Sequence, residues 1–311
     1  MKKIILTVSF FFSILHLSAQ QDPEYTQYMY NMSVVNPAYA TGTQSILNLG
    51  SLYRTQWVGA VGSPKTITLF AHLPLQKKVE VGFSLISDDI GDGAKKENNF
   101  YADFAYVLKF EGKHRLSLGL KAGVTSLQTN FNGFRFESGN SQTDLAFAQN
   151  INATKPNVGV GAYYFTNNYY VGLSAPNLLA SKHIVEKSGL NALGSENIHA
   201  FLTAGYVFKL TDSFKFKPAF MTKFVPGAPL SADITANVLY NDRFELGAAY
   251  RYDDAVSGLL NINVTQNIKV GYAYDYTLSN LGQFNSGSHE IFVLFNFDLL
   301  GKGYDKSPRF F

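Results

Sequence analysis

The 311-residue chain contains no cysteine, and this absence excludes several classes of function together. It rules out disulfide staples, cysteine-ligated zinc, thiol catalysis and a cysteine-linked lipoprotein anchor. An exported protein of this sequence must therefore be stable without disulfides.

Charged residues are scarce, and long apolar runs are missing from most of the chain. Only 16% of residues are charged, against roughly 25% in soluble domains. After the first twenty residues, no stretch reaches the ~18 apolar residues that a transmembrane helix needs. Aromatic residues make up 15% of the chain, which is enough for two interfacial belts around a membrane barrel. The composition therefore favours a β-rich membrane protein.

Residues 1–19 have the pattern of a secretory signal peptide. Lys2 and Lys3 form the basic start, residues 4–17 form the apolar core, and Ala19 precedes the expected cleavage point. Removing these two of the 26 basic side chains leaves 24 against 23 acidic ones, so the mature chain is nearly neutral. This balance excludes a nucleic-acid partner.

From residue 46 onward, the sequence alternates between apolar and small or polar residues, which is the pattern of strands with two differently solvated faces. In the clearest segment, Leu118 and Leu120 share one face, and Ser117 and Lys121 share the other. Fourteen such segments are predicted, with approximate cores at 46–57, 65–74, 78–88, 97–110, 114–126, 156–166, 168–175, 197–210, 213–224, 229–240, 242–252, 256–265, 267–277 and 288–299.

The lengths of these segments and of their connections distinguish a barrel from a soluble sandwich. Most segments run from nine to fourteen residues, as in tilted membrane strands, whereas strands of a sandwich are near five or six. Every second connection is short, which is typical of an outer-membrane barrel with short periplasmic turns. The sequence therefore predicts an all-β fold, a transmembrane antiparallel β-barrel of about 14 strands over residues 46–299. The same alternation predicts both termini in the periplasm, including a tail at residues 300–311.

Charged side chains recur on the polar face of the predicted strands. We expect opposite charges on adjacent strands to pair, because an unpaired charge inside a lumen is costly. The acidic members are Asp233, Glu245, Asp275, Glu290 and Asp298, and the basic ones are Lys215, Lys217, Lys223, Arg243, Arg251 and Lys269. Such self-neutralisation suits a filled lumen better than a selective pore.

Candidate catalytic and metal-binding groups do not form recognisable motifs. The histidines lie in separate segments, and neither a nucleophile elbow nor HExxH-like spacing occurs. Residues 88–93 resemble a calcium loop, but Asn99 stands where the bidentate glutamate should be. We therefore expect a non-enzymatic protein without cofactor or metal, and a solvated outer loop at 88–93.

Two further groups of residues suggest positions rather than chemistry. The aromatics Tyr163–Phe165, Tyr169–Tyr170 and the Tyr272/Tyr274/Tyr276 series are expected at strand ends or on lipid faces, as interfacial belts.

The lead-in at residues 20–45 is aromatic, amide-rich and broken by prolines. It is predicted either to plug the barrel from the periplasmic side or to form a docking surface with exposed tyrosines as anchors.

A block of motifs in and after this lead-in is specific. It consists of Asp22, Pro23, Tyr25, Gln27, Tyr28, Asn31, Asn36, Pro37, Ala38 and Tyr39, followed in the first strand by Arg54, Gln56 and Trp57. This block resembles the N-terminal signature of the PorP/SprF family of type IX secretion system outer-membrane proteins. The family usually places glycine directly after the alanine that corresponds to Ala40. The chain departs from that signature, because Thr41 stands between Ala40 and Gly42.

The resemblance implies an accessory role in type IX secretion, related to gliding motility, at the outer membrane of a Bacteroidetes-like cell. Implied partners are secreted adhesin-type cargo with a C-terminal sorting domain, periplasmic and outer-membrane components of the system, and outer-membrane lipid. It also makes the thirteen motif residues candidates for partner binding. Two alternatives stay open, a plugged FadL-like importer of hydrophobic small molecules and a barrel enzyme.

Overall fold

The computed structural model describes residues 23–41, 46–75, 78–132, 135–136, 139–140, 150–179 and 197–299. Within these ranges, fourteen long strands form the wall of the molecule. They are β1 Ile46–Thr55, β2 Lys65–Pro74, β3 Val79–Ile90, β4 Lys95–Lys109, β5 Arg115–Thr129, β6 Asn152–Phe165, β7 Tyr169–Asn177, β8 His199–Tyr206, β9 Phe214–Phe224, β10 Ser231–Tyr240, β11 Phe244–Arg251, β12 Ala255–Asn263, β13 Ile268–Thr277 and β14 Ser288–Asp298.

The strands close into one antiparallel barrel. Each strand pairs with its neighbour in sequence, and β1 pairs with β14 from Ile46 opposite Asp298 to Thr55 opposite His289. A two-residue strand, Phe208–Lys209, also pairs with β9, and Arg135–Phe136 pairs with Gly139–Asn140 in a separate two-stranded sheet. The predicted fold class and the predicted fourteen strands are confirmed.

The two faces of the wall differ as the alternation predicts. In β5, Leu118 and Leu120 are 48% and 61% exposed on the outside, whereas Lys121 is 2% exposed on the inside. Outward apolar side chains and inward polar ones are the pattern of a barrel set in hydrocarbon. None of the helices among the described residues is long and apolar enough to cross a membrane.

The two rims of the barrel carry connections of different length. At the end where β1 begins and β14 ends, which we call the turn end, β4 and β5 are joined by residues 110–114 and β6 and β7 by 166–168. At the opposite end, the loop end, β5 and β6 are joined by residues 130–151. The longest connections therefore lie at the loop end, as predicted, although β3 and β4 are joined there by only residues 91–94 and β11 and β12 by only 252–254.

The described part of the lead-in, residues 23–41, lies inside the barrel and supplies much of its core. We call residues 23–41 the plug; it contains a 3-10 turn at Tyr28–Tyr30 and a short helix at Met32–Val35. The buried cluster joins plug residues to lumenal side chains of the wall. Tyr163, Phe165 and Tyr170 belong to it, with at most 2% exposure. The prediction that these three residues belong to an interfacial belt is therefore wrong, because their side chains face the interior of the barrel.

The plug runs from one end of the barrel to the other. Glu24 contacts Lys223 and Arg251, both at the loop end. Thr41 contacts Glu80 at the turn end, just before β1 begins. The described residues therefore begin at the loop end and finish at the turn end. The placement of both termini in the periplasm concerns residues outside the described ranges and stays a prediction.

Candidate functional site

A row of wall glycines receives the proline turn of the plug. Gly119 in β5 is paired with Gly161 in β6, and Gly172 lies on the next strand. A β-carbon on Gly119 would lie 2.3 Å from the backbone nitrogen of Ala38, and one on Gly161 would lie 2.1 Å from the Asn36 side chain. Only glycine lets the backbone of the plug approach the wall so closely.

Hydrogen bonds fix the same turn. Asn36 donates from Nδ2 to the carbonyl of Ala162 over 3.1 Å, and its Oδ1 accepts from the nitrogen of Ala38 over 2.9 Å. Ser174 donates to the carbonyl of Val35 over 2.9 Å. An asparagine that shapes its own turn is a familiar device, and here it also ties the plug to β6. The Asn36-Pro37-Ala38 motif is therefore built to match this part of the wall.

On the opposite side of the lumen, Arg54 ties the plug to three wall strands. Its guanidinium in β1 lies 2.7 Å from Asp275 and 3.1 Å from Glu290. Thr26 donates its hydroxyl to Asp275 over 2.7 Å and its amide to Glu290 over 2.9 Å. The amide of Gln27 donates to Glu290 over 2.8 Å. Charge-assisted bonds of this kind are stronger than neutral ones, so these groups hold the plug firmly.

A second group of buried charges surrounds Tyr30. Its hydroxyl donates to Glu245, and Lys217 lies 3.0 Å from the same carboxylate. Its ring stacks 4.8 Å from Phe292 and lies 4.4 Å from the Lys269 ammonium. Burial and the nearby carboxylate raise the pKa of Tyr30 well above its ordinary value. The hydroxyl therefore stays protonated and acts as a hydrogen-bond donor.

A third group of charges holds the start of the plug at the loop end. Glu24 is paired with Lys223 and lies 3.4 Å from Arg251, which also binds Asp233 over 2.8 Å. Burial opposes the charged form of Glu24, but Arg251 and Lys223 outweigh it and lower its pKa to about 2. Glu24 is therefore ionised at any physiological pH.

The predicted neutralisation of lumenal charge is largely confirmed. Asp233 pairs with Arg251, and Glu245 pairs with Lys217 and Lys269. The pairing of Arg54 with Asp275 and Glu290 was not predicted from the sequence. Lys215 also finds an acidic partner, Asp242, at the turn end. The assignment of Arg243 to the lumen is wrong, because this residue precedes its strand and is exposed.

The motif residues are brought together, but mostly in the interior. Tyr28, Gln27, Asn31 and Ala38 have no exposed surface, and Tyr25 is 5% exposed. The expectation of exposed tyrosine anchors is thus wrong for Tyr25 and Tyr28. The partly exposed members are Pro23, Tyr39, Gln56 and Trp57, whereas Asn36, Pro37 and Arg54 are buried. Asp22 lies outside the described residues, as do the predicted signal peptide and the tail at 300–311.

The expected solvated calcium-like loop is also corrected in part. Asp88 is buried near the end of β3 and accepts a 2.5 Å hydrogen bond from Thr66 of β2. Asp89 accepts from the amide of Gly93 over 2.7 Å, as in an ordinary turn. Among the described residues, no group of three or more His, Cys, Asp or Glu side chains is arranged to hold a metal ion.

Comparison with known proteins gives a family match and solved structures of similar fold. The family profile described as type IX secretion system membrane protein PorP/SprF matches residues 17–295. No curated protein matches the chain in sequence. Two similar solved structures are a Pseudomonas aeruginosa FadL homologue and a deletion mutant of the monoaromatic hydrocarbon channel TodX. The first is 11% identical with a TM-score of 0.50, covering 91% of this chain and 96% of the other. The second is 11% identical with a TM-score of 0.50, covering 86% and 94%.

Proposed function

We propose that this protein assists the export or surface anchoring of large adhesin-type cargo by binding other proteins. The proposal starts from the family: the chain belongs to the PorP/SprF family of type IX secretion system membrane proteins. The filled lumen carries this proposal. The plug closes the barrel through one ion pair, hydrogen bonds to two further groups of buried charges and a glycine-lined steric fit, so binding at a rim is a better-supported role than conduction. The role is non-enzymatic.

The proposed partners follow from the family. They are cargo carrying a C-terminal sorting domain, periplasmic and outer-membrane components of the secretion system, and the lipid of the outer membrane. We place the loop end outside the cell and the turn end in the periplasm, because outer-membrane barrels have short periplasmic turns. Gliding motility is the process in which surface adhesins of this kind would be used.

We assign the motif residues two different roles within this function. The buried members, such as Asn36, Ala38 and Arg54, hold the plug against the wall. Gln56 and Trp57 follow β1 at the loop end and are partly exposed, and Pro23 lies at the same end. These three are our candidates for direct partner contact.

The proposal is tested by deleting the chain and measuring sorting-domain proteins on the cell surface by protease shaving and mass spectrometry. We expect a subset of large surface proteins to be lost and then restored by the wild-type chain. A surface proteome unchanged by the deletion contradicts the proposal. A chain with Gln56→Ala and Trp57→Ala then tests the contact residues, with abundance of the folded barrel as the control.

An alternative role is uptake of hydrophobic small molecules. Its support is the fold shared with the FadL homologue and with TodX, a monoaromatic hydrocarbon channel. Import predicts slower uptake of a labelled fatty acid or toluene in the deletion strain, with an unchanged surface proteome. The two measurements on one strain therefore separate the two functions.

A further inference from the structure

A small cavity lies between the plug and the wall at the loop end. Its volume is about 60 Å³. Its floor is formed by Tyr25, Val34 and Val35 of the plug. The walls are mostly apolar and come from Ile86, Tyr101, Pro176, Phe201 and Met221. Rim residues such as Pro23, Asn177 and Ser231 are partly exposed, so the cavity is reached from the loop end.

The charged side chains that line this cavity already have partners. Lys223 pairs with Glu24, Arg251 pairs with Asp233, and Lys121 lies 3.0 Å from Asp103. A charged group entering the cavity would lose its hydration without gaining an unpaired counter-charge, which is unfavourable. The electrostatics of the site therefore select an uncharged, apolar occupant.

The volume limits the occupant further. An engineered apolar cavity of about 150 Å³ binds benzene, and this cavity is less than half that size. It is therefore too small to enclose a whole fatty acid or an aromatic hydrocarbon. The branched end of a valine or leucine side chain does, and a protein segment can deliver one while the rest of it rests on the rim. Anchors in small desolvated pockets typically dominate protein interfaces.

We propose that this cavity is a recognition site at the loop end for an aliphatic side chain of an uncharged segment in a protein partner. The inference rests on the proposed secretion function and names the site that it uses. Because Tyr25, Val34 and Val35 form the floor, the bound side chain touches the plug directly. The partner therefore engages the plug without entering the lumen.

A matched pair of variants tests the site. Ser231→Leu places an added isobutyl-sized group in the cavity, because position 231 lines it. Ala232→Leu adds a similar group on the outer face, which position 232 shares with the exposed Ile234. We expect Ser231→Leu to lower display of the dependent surface proteins roughly fivefold or more, as loss of one anchor does. We expect Ala232→Leu to leave display unchanged.

Both variants must first give a folded, heat-modifiable barrel in wild-type amount. A photo-crosslinking amino acid at Phe201, on the cavity wall, then reports the occupant in intact cells. The expected adduct contains a protein that disappears from the surface when the chain is deleted. Normal display with Ser231→Leu, an equal loss in both variants, or an adduct confined to this chain overturns the site. If deletion of the whole chain changes no surface protein, the proposed function itself fails; a deletion defect without a Ser231→Leu defect refutes the cavity alone.

Discussion

Gly119 and Ala38 approach so closely that a β-carbon on the glycine would come within 2.3 Å of the backbone nitrogen of the alanine. Gly119 belongs to the wall and Ala38 to the plug, and the four strands β1 to β4 separate them in the sequence. The contact joins a backbone to a backbone, so neither partner can rotate away from an added side chain. It is the point where the fit between plug and wall is tightest.

Gly119→Ala should therefore loosen the plug while leaving the strand pairing of the barrel intact. Overpacking of this kind costs about 1–3 kcal/mol. We expect a lower unfolding temperature and increased entry of a small antibiotic. Gly258→Ala is the control, because a β-carbon there meets no atom within 4 Å. Equal behaviour of the two variants would show that the plug does not seal the barrel at this contact.

Glu24→Gln should free the start of the plug from the loop end. The change leaves Lys223 and Arg251 without the carboxylate that they share and should cost about 1–3 kcal/mol. Glu111→Gln, at an exposed turn position, is the matched control. Protease accessibility of residues near Pro23 in purified protein measures the release. Wild-type resistance in the Glu24 variant would contradict an ionic hold at this point.

The same carboxylate predicts a pH dependence. The pKa of Glu24 is lowered to about 2 in the folded state from an ordinary value of 4.5. A depressed carboxylate pKa stabilises the fold fully above the unfolded value, and the contribution is lost as pH falls through the folded value. We expect wild type to lose more stability than Glu24→Gln between pH 4.5 and 2. Parallel stability curves for the two proteins in detergent would refute this.

The outer face of β5 gives a test of membrane placement. Leu118→Arg puts a cation on the lipid face, which costs roughly 2–4 kcal/mol near the midplane. Lys121→Arg keeps a cation inside, 3.0 Å from Asp103 and over the Tyr101 ring. We expect loss of heat-resistant barrel only for Leu118→Arg. If both variants behave alike in semi-native electrophoresis, the assigned faces are wrong.

The course of the plug makes a topological prediction. A tag inserted at Asn140 and a tag placed ahead of Pro23 should be labelled from the same side of the membrane, because both positions lie at the loop end. A tag after residue 311 should be protected, since β14 ends at the turn end. Protease labelling of intact cells measures whether each of the three tags is accessible from outside. Protection of the tag ahead of Pro23 would place the mature N-terminus in the periplasm.

The sequence alone determined the wall of this protein. Alternation with a period of two is set by backbone geometry, so the faces of β5 and the number of strands are visible without tertiary information. The recurrence of glycine on the inward face of the strands, as at Gly119 and Gly161, is also visible in the sequence. The reason for these glycines is not, because they make room for Asn36 and Ala38, which lie far away in the chain.

What only the tertiary structure decided is where the lead-in goes and which charges meet across the lumen. Tyr25 and Tyr28 are buried inside the barrel. Arg54 pairs with Asp275 and Glu290, which lie more than two hundred positions away in the sequence. Local sequence carries no signal for such contacts. They exist because closure of the barrel brings β1 beside β14 and encloses the plug, whose buried polar groups must then find partners on the surrounding wall.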